Sequence, residues 1–245
     1  MGPPVKEIMT DEDLEQAKRR SELFFVYVGR PALDLWNEYF MVARHFQRDE
    51  FMYTAASEFM AKHIKLDRLP AVYIYKDNNY FLYEEKRLLD RNQRSAGGGE
   101  ERNVATGGQM DEGGQKADVS EDGELNNIEN SSLSIWVTRE RFPLFVKITR
   151  GRFGHILATR KLIVIVVLEE NKLEQITPEM ETFREMVRGI VESNPTKYQE
   201  SFQFGWTGLP DLANSVAMET LETPSLLVVD SVTFHHYIPQ ARQDQ

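Results

Sequence analysis

Two unbroken apolar runs organise the chain, residues 23–28 and 162–168, and each is followed by sequence with helical spacing. The first, Leu23-Phe24-Phe25-Val26-Tyr27-Val28, is β-branched and aromatic throughout and closes on Gly29-Arg30-Pro31. A run of that kind predicts a strand buried on both faces. Behind it Leu35, Trp36, Tyr39, Phe40, Ala43 and Phe46 recur at helical spacing, which predicts a helix over 33–46. Residues 51–54 then read as a strand. After a short connection, 69–75 and 80–83 read as two strands joined by a tight turn at Lys76-Asp77-Asn78-Asn79.

The second run opens the same order again. A strand over 162–168 leads to a helix over 178–191, whose Thr177 is placed to cap a first turn carrying Glu179 and Glu181. A strand over 202–206, a helix over 211–221 and a strand after Pro224 follow, then a turn at Asp230-Ser231 and a final strand over 235–238. Upstream of each central run lie a short strand and a helix, 5–9 with 11–20 and 144–148 with 151–160. From Pro70 to Tyr80 and from Pro224 to Phe234 the separation is ten residues in both halves. The pattern is a duplicated unit of order βαβαβαββ. Two crossovers and a hairpin give a mixed sheet with helices on both faces.

Residues 91–130 break the pattern. They contain three glycine clusters and many acids but no aromatic residue, so they bury too little apolar surface to offset the entropy of ordering. A disordered insertion is expected there. It ends in Asn130-Ser131-Ser132, a glycosylation acceptor if the protein is secretory.

Composition narrows the chemistry. With 41% hydrophobic and 11% aromatic residues the chain is globular rather than disordered. A net charge of −10 argues against a nucleic-acid partner. The basic group Lys18-Arg19-Arg20 reads as a solvated helix face. There is no cysteine, which excludes disulfides, thiolate metal sites and cysteine nucleophiles. The run 162–168 is too short to span a bilayer and residues 1–10 lack an apolar core, so a soluble segment is expected. The polar ends of the sequence look like cut points in a longer chain.

The order of elements, with X-Pro leading into each hairpin, resembles the thioredoxin fold. Leu69-Pro70-Ala71-Val72 and Thr223-Pro224-Ser225-Leu226 are similar to its cis-proline loops. Two copies in tandem resemble the non-catalytic b and b′ modules of the protein disulfide isomerase family. Phe24-Phe25-Val26-Tyr27-Val28-Gly29, Arg139-Glu140-Arg141-Phe142 and Phe202-Gln203-Phe204-Gly205 point to its thioredoxin-related transmembrane branch. The resemblance implies an α/β protein of two thioredoxin-like domains. The first spans 1–142 with the insertion at 91–130, and the second spans 143–245 without its last helix. Members of that branch carry a Cys-x-x-Cys module and a membrane helix, neither of which stands in this sequence. The resemblance therefore implies a luminal endoplasmic-reticulum segment with no catalytic residue, no cofactor and no membrane contact of its own, within a membrane-anchored parent.

The position after each central strand, where active modules hold their cysteines, reads Gly29-Arg30-Pro31-Ala32 and Glu169-Glu170-Asn171-Lys172. Neither can exchange disulfides. Pro70 and Pro224 are expected to shape the fold. The family's second inactive module binds unfolded polypeptide between its first and third helices. The resemblance carries that role onto Phe153, Ile156, Leu157, Leu212 and Val216, with Phe204 and Trp206 on the strand nearby; the competing reading for each is core packing. His45, His63, His155, His235 and His236 read as surface residues, and the acidic pairs Glu84-Glu85 and Glu169-Glu170 form no ordered ligand loop, so no metal site is expected. The expected function is binding of unfolded client protein and spacing of a catalytic module. The alternatives are a free-standing redox-inactive chaperone or escort, a calsequestrin-like acidic calcium buffer, and a structural scaffold alone.

Overall fold

In the computed structural model, which describes residues 2–31, 34–84, 128 and 131–239, the two apolar runs become the middle strands of two five-stranded sheets. The insertion at 91–130, apart from Ile128, and Asn130 lie outside the described residues. The chain divides into two compact units. One comprises Met1–Tyr75 and Tyr80–Val137, the other Lys76–Asn79 and Thr138–Gln245.

The first sheet contains β1 (Lys6–Ile8), β2 (Phe24–Val28), β3 (Met52–Ala55), β4 (Ala71–Lys76) and β5 (Asn79–Leu82) in the order β1-β3-β2-β4-β5. β1, β3 and β2 run parallel, and β4 is antiparallel to β2, with Phe25 opposite Ile74 and Tyr27 opposite Val72. Every residue of β2 is buried. A strand with no wet face needs a helical layer on each side. Helices α1 (Asp11–Arg20) and α3 (Ser57–Met60) supply one layer, with Leu14, Ala17, Phe59 and Met60 packed on Phe24, Val26 and Val28. Helices α2 (Asp34–His45) and α4 (Ser132–Glu140) supply the other, with Tyr39, Val42, Leu133, Trp136 and Val137 around Phe25, Tyr27, Val72 and Ile74.

Local signals explain the boundaries. Thr10 and Asp13 form a capping box, the Thr10 hydroxyl accepting from the Asp13 N–H at 3.2 Å and the Asp13 carboxylate from the Thr10 N–H at 2.9 Å. Lys18, Arg19 and Arg20 form the last turn of α1, where they complement its dipole. The β4–β5 turn takes left-handed angles at Asp77 and Asn78, residue types that tolerate them.

The second sheet repeats the topology. Its strands β6 (Phe145–Lys147), β7 (Leu162–Val167), β8 (Phe202–Thr207), β9 (Ser225–Asp230) and β10 (His236–Tyr237) lie in the order β10-β9-β7-β8-β6. Helices α5 (Arg150–Leu157) and α8 (Pro210–Ala217) cover one face through Ile156, Leu212 and Ala213. Helix α6 (Pro178–Glu192) covers part of the other, capped by Thr177, whose hydroxyl accepts from the Met180 N–H at 3.3 Å. A short helix α7 (Pro195–Tyr198) follows. Both Leu69–Pro70 and Thr223–Pro224 are cis.

The structure departs from the sequence expectation in its shorter helices. α8 stops at Ala217 rather than continuing to 221, because Met218 is left-handed and the Leu221 N–H turns back to the Asn214 side chain at 2.9 Å. α5 ends at Leu157, and left-handed Arg160 separates it from β7. α4 and α7 lie outside the expected elements, while α3 falls where the duplicated order places a third helix, in the connection after β3.

Buried Tyr39 ties α2 to the sheet, its hydroxyl donating to the Tyr53 carbonyl at 2.8 Å and accepting from the Tyr53 N–H at 3.1 Å. Tyr39→Phe removes both of these buried hydrogen bonds and is expected to cost about 0.5–1.5 kcal/mol. Urea unfolding of the variant checks it, and a loss below about 0.5 kcal/mol would mean the two groups find other partners.

Candidate functional site

The C-terminal end of each central strand is where a thioredoxin-like sheet presents its chemistry, and here both ends are filled. In the first unit Gly29 has φ +146°, and a Cβ built on it would lie 3.0 Å from Cβ of cis-Pro70. Glycine is required by both the angle and the contact. The Tyr27 hydroxyl then closes the loop by donating to the Arg30 carbonyl at 2.9 Å. In the second unit Glu170 follows β7 and packs over Gly208, where any Cβ would collide with its side chain. The Glu170 carboxylate accepts from Lys147 Nζ at 2.7 Å. Lys147 Nζ and the Arg184 guanidinium each lie 4.9 Å from the Trp206 ring centroid. An ion pair with cation–π contacts thus closes the end of β7.

The residues assigned to client binding divide between the two faces of the second sheet. Ile156 and Leu212 are buried core between α5, α8 and the sheet. Phe153, Leu157 and Val216 are half-buried at the rim of that core, and Ile238, which the sequence reading passed over, joins them. Phe204 and Trp206 are not in this group. Residues alternate faces along β8, and these two point to the opposite side, into the cluster of Leu144, Phe145, Val166, Leu168 and Val191 under α6. Their inclusion is corrected on that ground. Met218, Val232 and Phe234, in the turns beyond α8 and β9, are exposed.

A buried ionic cluster lies in the second unit. Glu140 Oε2 accepts from Lys76 Nζ at 2.6 Å, and Glu140 Oε1 is 2.9 Å from Lys161 Nζ. All three side chains are nearly inaccessible. Burial alone would raise the Glu140 carboxyl, but the ammonium groups of Lys76 and Lys161 and their hydrogen bonds outweigh it and bring it down to about 2. Burial lowers Lys161 to about 7 against the pull of Glu140, with repulsion from Lys76 and Arg139 adding to the effect. The two shifts describe one cluster, in which the carboxylate stays ionised and the second ammonium is in excess. Among the described residues no group of three or more His, Asp or Glu side chains is placed to hold a metal ion, and no helix is long and apolar enough to cross a membrane.

Two thioredoxin-like modules in tandem, in a chain without cysteine, are the class this architecture defines. The chain is homologous to protein disulfide-isomerase TMX3: 22% identical to that of Xenopus laevis over 240 residues and 21% identical to that of Homo sapiens over 237. Each match covers 97% of this chain but 42% of the relative, so the chain spans about two fifths of the length of these proteins. No family model matches. Among solved structures, the bb fragment of ERp72 is similar in fold, with a TM-score of 0.50 at 15% identity over 98% of this chain and 90% of that one.

The ionic cluster sets a pH dependence with two limbs. Lys161 is depressed from 10.5 to about 7, so between those values the unfolded chain holds the extra proton and stability rises with pH. Glu140 is depressed from 4.5 to about 2, so its contribution is present above 4.5 and is lost as pH falls toward 2. Lys161→Met should abolish the alkaline rise and keep the acid limb. Glu140→Gln should cost about 3–5 kcal/mol at pH 7 by stranding buried ammonium groups. Denaturant titrations from pH 2 to 10 test both, and an unchanged alkaline limb in Lys161→Met would refute the assignment.

Proposed function

We propose that the chain is the redox-inactive, client-binding part of a protein disulfide isomerase-related protein of the endoplasmic-reticulum lumen. Homology to TMX3 supports the isomerase-related setting, and the absence of cysteine leaves these residues no route to disulfide exchange. The observation that carries client binding is that Phe153, Leu157, Val216 and Ile238 are half-buried against the core under α5 and α8. Apolar side chains that are partly wetted in the free protein gain by covering one another and a non-native segment, with no demand on its sequence. The buried neighbours Ile156 and Leu212 hold this rim in place. Client is unfolded or partly folded polypeptide, and the two modules space the rim from a catalytic module elsewhere in the parent. A stand-alone escort has the same rim and differs only in lacking such a module.

The rim and its support separate by mutation. Phe153→Asp or Val216→Glu should weaken binding of a fluorescent unfolded peptide about tenfold, which corresponds to about 1.4 kcal/mol, while circular dichroism stays unchanged. Ile156→Glu should unfold the second unit. Equal peptide affinity in Phe153→Asp, Val216→Glu and the parent sequence would overturn client binding at this face.

A further inference from the structure

Charge is spread unevenly along the chain. The formal net charge is −10, yet residues 141–168 hold six Lys or Arg and no Asp or Glu. Three of the six are engaged: Lys147 pairs with Glu170, Lys161 pairs with Glu140, and the Arg141 guanidinium lies over the Phe142 ring. The other three, Arg150, Arg152 and Arg160, are exposed, and none pairs with a carboxylate among the described residues.

The duplicated fold supplies a control. α1 and α5 hold equivalent places, each between the first strand of its sheet and the central one. α1 begins with Asp11, Glu12 and Asp13 and ends with Lys18, Arg19 and Arg20, the arrangement that complements a helix dipole. α5 has no acid in its first turn and places Arg150 and Arg152 there instead. Its Thr149 hydroxyl accepts from the Arg152 N–H at 3.4 Å, but an arginine cannot return a bond to the cap as Asp13 does. Gly151 and Gly154 weaken the helix further, and a Cβ on either would meet nothing within 4 Å, so packing does not demand them. Stability thus favours other residues at Arg150, Gly151, Arg152 and Gly154, all of them exposed. A helix that breaks local rules only on its wet face is shaped by what that face meets.

The same helix carries apolar side chains of the client-binding face. Residues three and seven apart share a helix flank, so Arg150 stands with Phe153 and Leu157. Both are half-buried against the core that Val216 and Ile238 also join. A segment whose apolar side chains cover Phe153 and Leu157 brings its neighbouring residues within reach of unpaired guanidinium groups. A guanidinium favours a carboxylate, with which it forms a planar two-point pair.

We propose that this face selects acidic clients, non-native segments in which Asp or Glu flank aromatic or aliphatic residues, an inference that rests on client binding at α5 and names the class of client. The apolar side chains cover Phe153 and Leu157, and the carboxylates meet Arg150 and Arg152. A short mixed segment suits this surface better than a nucleic acid does, because three arginines in an acidic chain offer a phosphate backbone no continuous basic track.

The 245-residue chain is titrated with three labelled unstructured peptides of equal length, which share their Leu and Phe positions and carry Glu, Gln or Lys at every polar position. At ~0.05 M salt the Glu peptide is expected to bind about tenfold tighter than the Gln peptide, chiefly by faster association, and the Lys peptide more weakly than both. Raising the salt to ~0.5 M should erase the difference. In Arg150→Gln/Arg152→Gln the Glu peptide should fall to the affinity of the Gln peptide. Arg150→Glu should weaken the Glu peptide yet raise the melting temperature, since it returns an acid to the first turn of α5. A lowered melting temperature with unchanged Glu-peptide affinity would make Arg150 structural and overturn the proposal. Equal affinity for all three peptides overturns the acidic preference and leaves client binding standing, whereas binding of none overturns both.

Discussion

A strand that is apolar on both faces has to be covered twice. β2 imposes that condition along its whole length and β7 from Ile165 onward, where residues alternate between two cores. Parallel pairing to β3 and β8 forces crossover helices, and right-handed crossovers carry successive helices to opposite sides of the sheet. The hairpin after each cis proline then adds the antiparallel strand. Helix positions, and through them the rim at α5 and α8, follow from the need to bury both sides of six or so residues.

Where that scaffold delivers its chemistry, the side chains have changed character. The first unit places a glycine against proline, so the loop is closed by steric fit. The second places Glu170 on Lys147 with Trp206 between two cations, so its loop is closed by charge and aromatic contact. These solutions differ in chemistry, although each sets a glycine against its neighbour, Gly29 against Pro70 and Gly208 against Glu170. Apolar exposure near the helices is uneven between the units.

Much of this was legible in the chain because the strongest signals are local. Continuous runs such as Phe24–Val28 and the helical spacing through Tyr39 and Phe46 locate elements without tertiary knowledge, and the cis bonds were expected from the resemblance of the two X-Pro loops to those of the thioredoxin fold. Face assignment was harder. Phe204 and Trp206 were grouped with α5 and α8 by proximity in order, whereas the two-residue period of β8 sends them to the other core. Ile156 reads like Phe153 in sequence, yet only the fold decides that one is buried and the other is rim. α4 was missed because Ser132, Ser134 and Thr138 dilute its apolar spacing. The cluster of Glu140 with its lysines was invisible, since Lys76 and Glu140 lie 64 residues apart and no spacing signal links them.

The comparison of the two units also explains why an exposed apolar strip is informative here. Scattered apolar side chains on a surface are ordinary, and Leu173 or Met9 alone would mean nothing. Val164, Leu226, Val228 and Tyr237 are different because the same fold, built from the same chain, buries the corresponding positions under a helix. In the first unit Leu133, Trp136 and Val137 of α4 close that face, so among the described elements the difference between the twins is one covering helix.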